Sequence, residues 1–148
     1  MFQPDQIVRA VCTAFQGDAA MTILAPGGIW HRRAPSGILS AGPYVVLDVL
    51  AGPKETFSDK TCLQDFSITL TIYGGQDVVT SGEIADKLCD WDLSRSIFDA
   101  VPAKIVGLFP DPEGIDLNSE EKSGQDVVLA VKKWTLKLHY QIGSNPEN

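Results

Sequence analysis

His31 and His139 are the only histidines in a chain of 148 residues. Neither has a second histidine or a cysteine within four positions, so the helical and hairpin spacings that hold a metal cannot be made locally. A general base built from one of them and a distant aspartate stays open, because 19 acidic residues offer such pairs by chance. No Gly-x-Ser-x-Gly elbow is present to expose a nucleophilic serine. Gly52, Pro53, Lys54, Glu55 and Thr56 echo a phosphate loop but lack its four-residue spacer, its second glycine and the hydroxyl residue directly after the lysine. A polar turn is the better reading. Cys12, Cys62 and Cys89 are odd in number and far apart, which suits reduced thiols packed as small apolar groups.

Two charged clusters remain. Trp30, His31, Arg32 and Arg33 set an indole beside basic groups, an arrangement that can stack on single-stranded bases. The net charge of -7 and a pI near 4.6 oppose a grip on phosphates. A salt bridge to a neighbouring subunit or a solvated strand end fits that charge better, and Trp30, Arg32 and Arg33 are candidate subunit contacts. Asp111, Glu113, Asp116, Glu120 and Glu121 form an acidic run without the ligand spacing or the sixth-position glycine of a calcium loop. The run reads as a solvated loop, exposed and mobile, for interaction or for lining a channel. No catalytic residue, cofactor or metal is expected, and the chain is not read as an enzyme.

The elements that must carry these residues follow from periodicity. Pro4 suits a first helical turn, and Ile7, Val8, Val11, Ala14 and Phe15 then share one face, predicting a helix over Pro4–Gln16. Asp18–Leu24 is ambiguous. Ile29–Arg32 reads as a short strand inside a Gly- and Pro-rich stretch, and Tyr44–Leu50 as a largely buried strand that stops before Gly52 and Pro53. Phe66, Ile68, Leu70 and Ile72 alternate with polar residues, predicting a half-buried strand to Tyr73. A second helix is predicted over Asp77–Trp91, a strand over Lys104–Phe109 and a long strand over Asp126–Ile142. In that last strand Val127, Leu129 and Val131 are odd-numbered and Trp134, Leu136 and Leu138 even, so a bulge near Lys132 and Lys133 is expected. Pro110–Gln125 is a long polar connection.

This order predicts an α+β fold, a mostly antiparallel mixed sheet of four to five strands with two helices packed on it. One domain over residues 1–142 and a frayed tail at 143–148 are expected. The longest apolar runs, Tyr44–Leu47 and Val127–Val131, fall far short of the roughly 20 residues that span a bilayer. No signal-peptide pattern opens the chain, so no membrane is expected and the protein should stay in the compartment where it is made.

An amphipathic first helix, then Gly28-Ile29-Trp30-His31, a Pro-containing spacer and Gly42-Pro43-Tyr44-Val45-Val46-Leu47 make a recognisable series. It resembles the phage tail terminator and tail-completion proteins, whose members carry a short G-V-Y-like element, a spacer and a P-Y-V strand. The strand Phe66–Tyr73, the helix near Ile84–Leu88 and the strand Trp134–Tyr140 continue the order, over about residues 4–142. The resemblance implies a small α/β sandwich in a ring, commonly a hexamer. The ring closes the head-proximal end of the tail tube and meets the tail tube protein on one side and the head connector protein on the other. DNA passes through without specific binding. It also implies a virion location at the head-tail junction, with assembly in the host bacterial cytoplasm and no catalytic residues. An acidic stretch as long as 111–121 departs from the family pattern. Two other classes stay open: a related connector part such as a head-closure protein, and a ligand-binding α+β domain with an apolar pocket and convergent polar groups.

Overall fold

The computed structural model describes residues 4–35, 37–38, 42–74, 87, 91–110, 122–123 and 126–141, with 122–123 and 126–130 described by their backbone pairing alone. The chain is α+β. Helix α1 (Pro4–Gln16) and the short α2 (Ala19–Leu24) precede β1 (Ile29–His31), β2 (Tyr44–Thr56) and β3 (Thr61–Gly74). A 3-10 turn (Arg95–Phe98), β4 (Lys104–Pro110), β5 (Lys122–Ser123) and β6 (Asp126–Gln141) follow. The strands form one sheet in the order β1-β2-β3-β6-β4, with β5 paired to β6 off that path. Among the described strands only β1 and β2 pair in parallel, and the other described pairs are antiparallel.

Periodicity decides which face is covered. Ile7, Val8, Val11 and Phe15 put the apolar stripe of α1 into the core, against Val45, Leu47 and Val49 of β2 and Phe66, Ile68, Leu70 and Ile72 of β3. Trp134, Leu136 and Leu138 of β6 complete that layer. Alternation sends Asp48, Leu50, Ser67, Thr69, Lys133 and Thr135 to the other face. No described helix is long and apolar enough to cross a membrane.

Several expectations change in detail. Asp18–Leu24 resolves as helix because Asp18 caps it, its Oδ1 accepting from Ala20 N at 3.0 Å and Met21 N at 3.3 Å. Strand β1 stops at His31, since Arg32 takes a left-handed backbone (φ 68). Strand β2 does not stop at Leu50. The register shifts between Ala51 and Lys54 and the ladder resumes to Thr56, with Gln64 Nε2 donating to the Gly52 carbonyl at 3.1 Å. Pro53 is tolerated because no described strand pairs with this stretch on its outer side, so the missing N–H breaks no described ladder bond. Nor is that strand buried throughout: Leu50 is 59% exposed. In β6 the bulge falls between Ala130 and Val128, not at Lys132 and Lys133. Lys132 therefore lies on the core face opposite Leu70, where its ammonium reaches the Trp91 carbonyl and sits 5.0 Å from the Trp134 ring centroid. The helix expected over Asp77–Trp91 lies outside the described residues except at Lys87, which is helical, and Trp91, whose N–H donates to the Lys87 carbonyl at 3.2 Å.

Aromatic rings join the two layers. Trp91 meets Phe15 edge-on at 5.5 Å and Trp134 edge-on at 6.2 Å, and its Nε1 donates to Asp18 Oδ2 at 3.1 Å. Asp18 thus caps α2 with one oxygen and holds an indole with the other. Asp18→Ala is expected to lose about 1–2 kcal/mol of stability in urea unfolding, and Asp18→Asn only a fraction of that because asparagine caps equally well. Equal losses from the two variants would show that the cap contributes little.

Candidate functional site

The most unusual local geometry surrounds β1. Ala25 to Gly28 turns tightly, with Gly28 N donating to the Ala25 carbonyl and Gly27 N to the Pro43 carbonyl, both at 2.9 Å. Val45 N then donates to the Gly28 carbonyl at 2.9 Å, which sets the parallel register Ile29–Val45, Trp30–Val46 and His31–Leu47. Trp30 is half-buried, and its Nε1 donates to the Gly27 carbonyl at 2.8 Å. Its indole pins the turn.

Beyond it the chain reverses sharply. Arg32 N donates to the Leu47 carbonyl at 2.9 Å, and Arg33 N to the His31 carbonyl at 2.8 Å, a three-residue turn centred on Arg32. A non-glycine residue held there costs on the order of 1–3 kcal/mol. His31, Arg32 and Arg33 are all exposed. Among the described residues the ion pairs are Arg9–Asp5 and Lys137–Asp65, each at 3.7 Å, and neither uses these arginines. The result is a cationic corner on one edge of the sheet. Of the three candidate contacts, Arg32 and Arg33 present charge outward while Trp30 is spent on the fold.

The acidic candidates Asp111, Glu113, Asp116, Glu120 and Glu121, and the mobility expected of them, lie outside the described residues. Their root is described. Pro110 ends β4 opposite Trp134, on the edge of the sheet away from β1.

Elsewhere the chemistry is sparse among the described residues. No polar or charged side chain there is buried, and no group of three or more His, Cys, Asp or Glu comes together. Burial pushes the Cys12 thiol up, away from the reactive thiolate. The Tyr140 hydroxyl donates to Gln64 Oε1 at 2.5 Å, and burial first, then the neighbouring Cys62 thiol, push its phenol up to about 12. It stays neutral. His31 and His139 sit on different strands, β1 and β6, which are not neighbours in the sheet. A cavity of about 480 Å³ along α1 is lined by Ala10, Ala14, Ile97 and Val101, with Gln6, Arg9 and Thr13 as its polar side chains. It offers no pairing of acid and base.

Sequence reasoning missed a feature of the two sheet edges. Leu50 on β2 and Phe109 on β4 are large apolar side chains exposed by 59% and 54%, and Val106 on β4 is exposed as well. Apolar residues on strands read as core; their exposure follows from strand order, which no local pattern encodes.

No protein-family model matches the chain, and no curated protein matches it.

Proposed function

We propose that this chain is a phage tail terminator subunit. In this reading it forms a ring on the head-proximal end of the tail tube, stops tube growth and offers the head connector a surface to dock on. The observation that carries the reading is the placement of the two motifs behind the family resemblance. Gly28–His31 and Gly42–Leu47 are far apart in the chain but lie side by side as the parallel pair β1–β2. The sheet supports the same reading in having two unlike edges among the described strands, one with a cationic corner and one with exposed Val106 and Phe109.

The physical task is plain. Tube rings stack through heterologous faces and polymerise without limit until a subunit binds the last face and presents a different one. Such work needs edges and loops rather than catalytic groups. The ring's acidic composition suits a passage that DNA traverses without adhering.

Deleting the gene from its phage tests the proposal. Tails of uncontrolled length, or tails without heads, are expected in electron micrographs, and supplying the protein in trans should restore joined particles. Normal, infectious particles from the deletion would overturn it.

A further inference from the structure

Helix α1 packs on one face of the sheet, and register sets the side chains of the opposite face in rows that run straight across the strands. The first row is Asp48, Thr69 and Lys133, the second Leu50, Ser67, Thr135 and Phe109, the third Asp65, Lys137 and Gly107. This face meets solvent: Leu50, Ser67, Lys133 and Phe109 are exposed, and the side chains of Asp65 and Lys137 keep 42% and 36% of their surface. The rows are lopsided. Acids stand on β2 and β3 and lysines on β6, while the second row has a large apolar residue at each end and short hydroxyls between. Asp48 and Lys133 are two strands apart, about 10 Å. Neither takes part in an ion pair among the described residues.

We infer that two copies of this chain pack face to face through these three rows. The two-fold axis runs parallel to the strands, between β3 and β6 and midway between the two sheets. Such an axis keeps every row at its own height and exchanges left for right. Strand β2 of one copy then lies over β4 of the other, and β3 over β6. Sheets packed in this way lie about 10 Å apart with strands within about 30° of one another, which keeps the rows matched near the axis.

Each row then meets its complement. In the second row Leu50 stands over Phe109 of the second copy and Ser67 over Thr135, so both exposed apolar side chains are covered. A hollow of about 430 Å³, lined by Ser67, Thr135 and Phe109 with Lys133 and Lys137 at its sides, gives the Leu50 of the second copy a place beside the ring. In the third row Asp65 already bridges Lys137 of its own copy at 3.7 Å. The second copy sets its Lys137 over Asp65 and its Asp65 over Lys137, so four charges alternate around a square. In the first row Lys133 of the second copy comes down over Thr69, one strand spacing of about 4.8 Å from Asp48. Charge favours this face for self-contact. The chain as a whole carries -7, but here Asp48 and Asp65 are balanced by Lys133 and Lys137, so two copies meet without net repulsion.

The contact is isologous and closes at two copies. It does not rest on the terminator reading, which stands or falls with the gene deletion. Sedimentation velocity and light scattering on the full chain test it, with circular dichroism showing that each variant is folded. The wild type should show a monomer–dimer equilibrium at high micromolar concentration, weakened by salt and with nothing larger. Asp65→Lys brings four ammonium groups together at the square and Lys137→Asp four carboxylates, so each alone should weaken dimerisation by about 10-fold or more. A one-to-one mixture of these two variants should form a heterodimer of close to wild-type affinity, because every ammonium of one copy then faces a carboxylate of the other. A wild type that stays monomeric or assembles beyond two copies, or a mixture that stays monomeric, overturns the pairing.

Discussion

Replacing Trp134 with alanine is expected to destabilise the protein by about 3–5 kcal/mol, a large part of the 5–15 kcal/mol that holds a typical domain together. The residue is 1% exposed and joins three parts of the fold. Its ring meets that of Trp91 in a T-shaped contact, its Nε1 donates to Asp92 Oδ1 at 2.8 Å, and the Lys132 ammonium lies over its face. Truncation opens a cavity beneath β6 and also frees the segment around Trp91, which has no strand to hold it. Trp134→Phe keeps most of the volume and loses the Asp92 bond, so a smaller loss of about 1–2 kcal/mol is expected. Urea unfolding followed by far-ultraviolet circular dichroism gives both numbers without relying on the indole signal. A loss under about 1 kcal/mol for the alanine variant would mean that the aromatic link is not part of the core.

The second large effect is expected at Gly27. A Cβ there would stand 2.8 Å from the Gly42 carbonyl oxygen and the Tyr44 Cβ, and 2.9 Å from the Pro43 carbonyl oxygen. These are backbone or backbone-anchored atoms, so nothing nearby can yield by rotating. Gly27→Ala is expected to cost about 3 kcal/mol, the upper end for overpacking, through separation of the 25–28 turn from the start of β2. Because the Gly27 carbonyl also receives the Trp30 indole, β1 should loosen with it. Amide exchange at Val45, whose N–H donates to Gly28, reports this directly. An unchanged exchange rate at Val45 together with wild-type stability would contradict the close approach.

The parts of the fold legible in the sequence were those whose pattern is repeated locally. The stripe Ile7, Val8, Val11 and Phe15 marks α1, and the alternation Phe66 to Ile72 marks β3, because in each case burial on one side is all that the pattern must encode. What escaped depends on distant partners. The six residues of α2 are helical because of the Asp18 cap, and Asp18 is itself held by Trp91, 73 positions away. Gly52 and Pro53 look like a strand end, yet β3 carries the ladder past them through Gln64. The parity change in β6 did require a bulge, but its position is set by Ile72 and Tyr73 across the strand, and Lys132 gains a carbonyl partner by staying on the core side. At the site, Arg32 and Arg33 were recognisable as charge without local partners. The indole of Trp30 was not recognisable as a structural pin, since its acceptor exists only once the turn at Gly27 has formed.

The strand order also sets a timetable. Strand β4 precedes β6 in the chain, yet its only described partner strand is β6, and Leu108 waits for Leu136. As the chain emerges from the ribosome, α1, the hairpin of β2 and β3 and then β4 are all made before that partner exists. The central β3–β6 pairing brings together segments as far apart as Cys62 and Tyr140, a slow, long-range closure of the kind that limits folding rate. Phe109 therefore takes its place on the sheet edge only after nearly the whole chain has been synthesised. A chain that ends before β6 lacks the strand on which β4 pairs, so Phe109 has no edge to occupy.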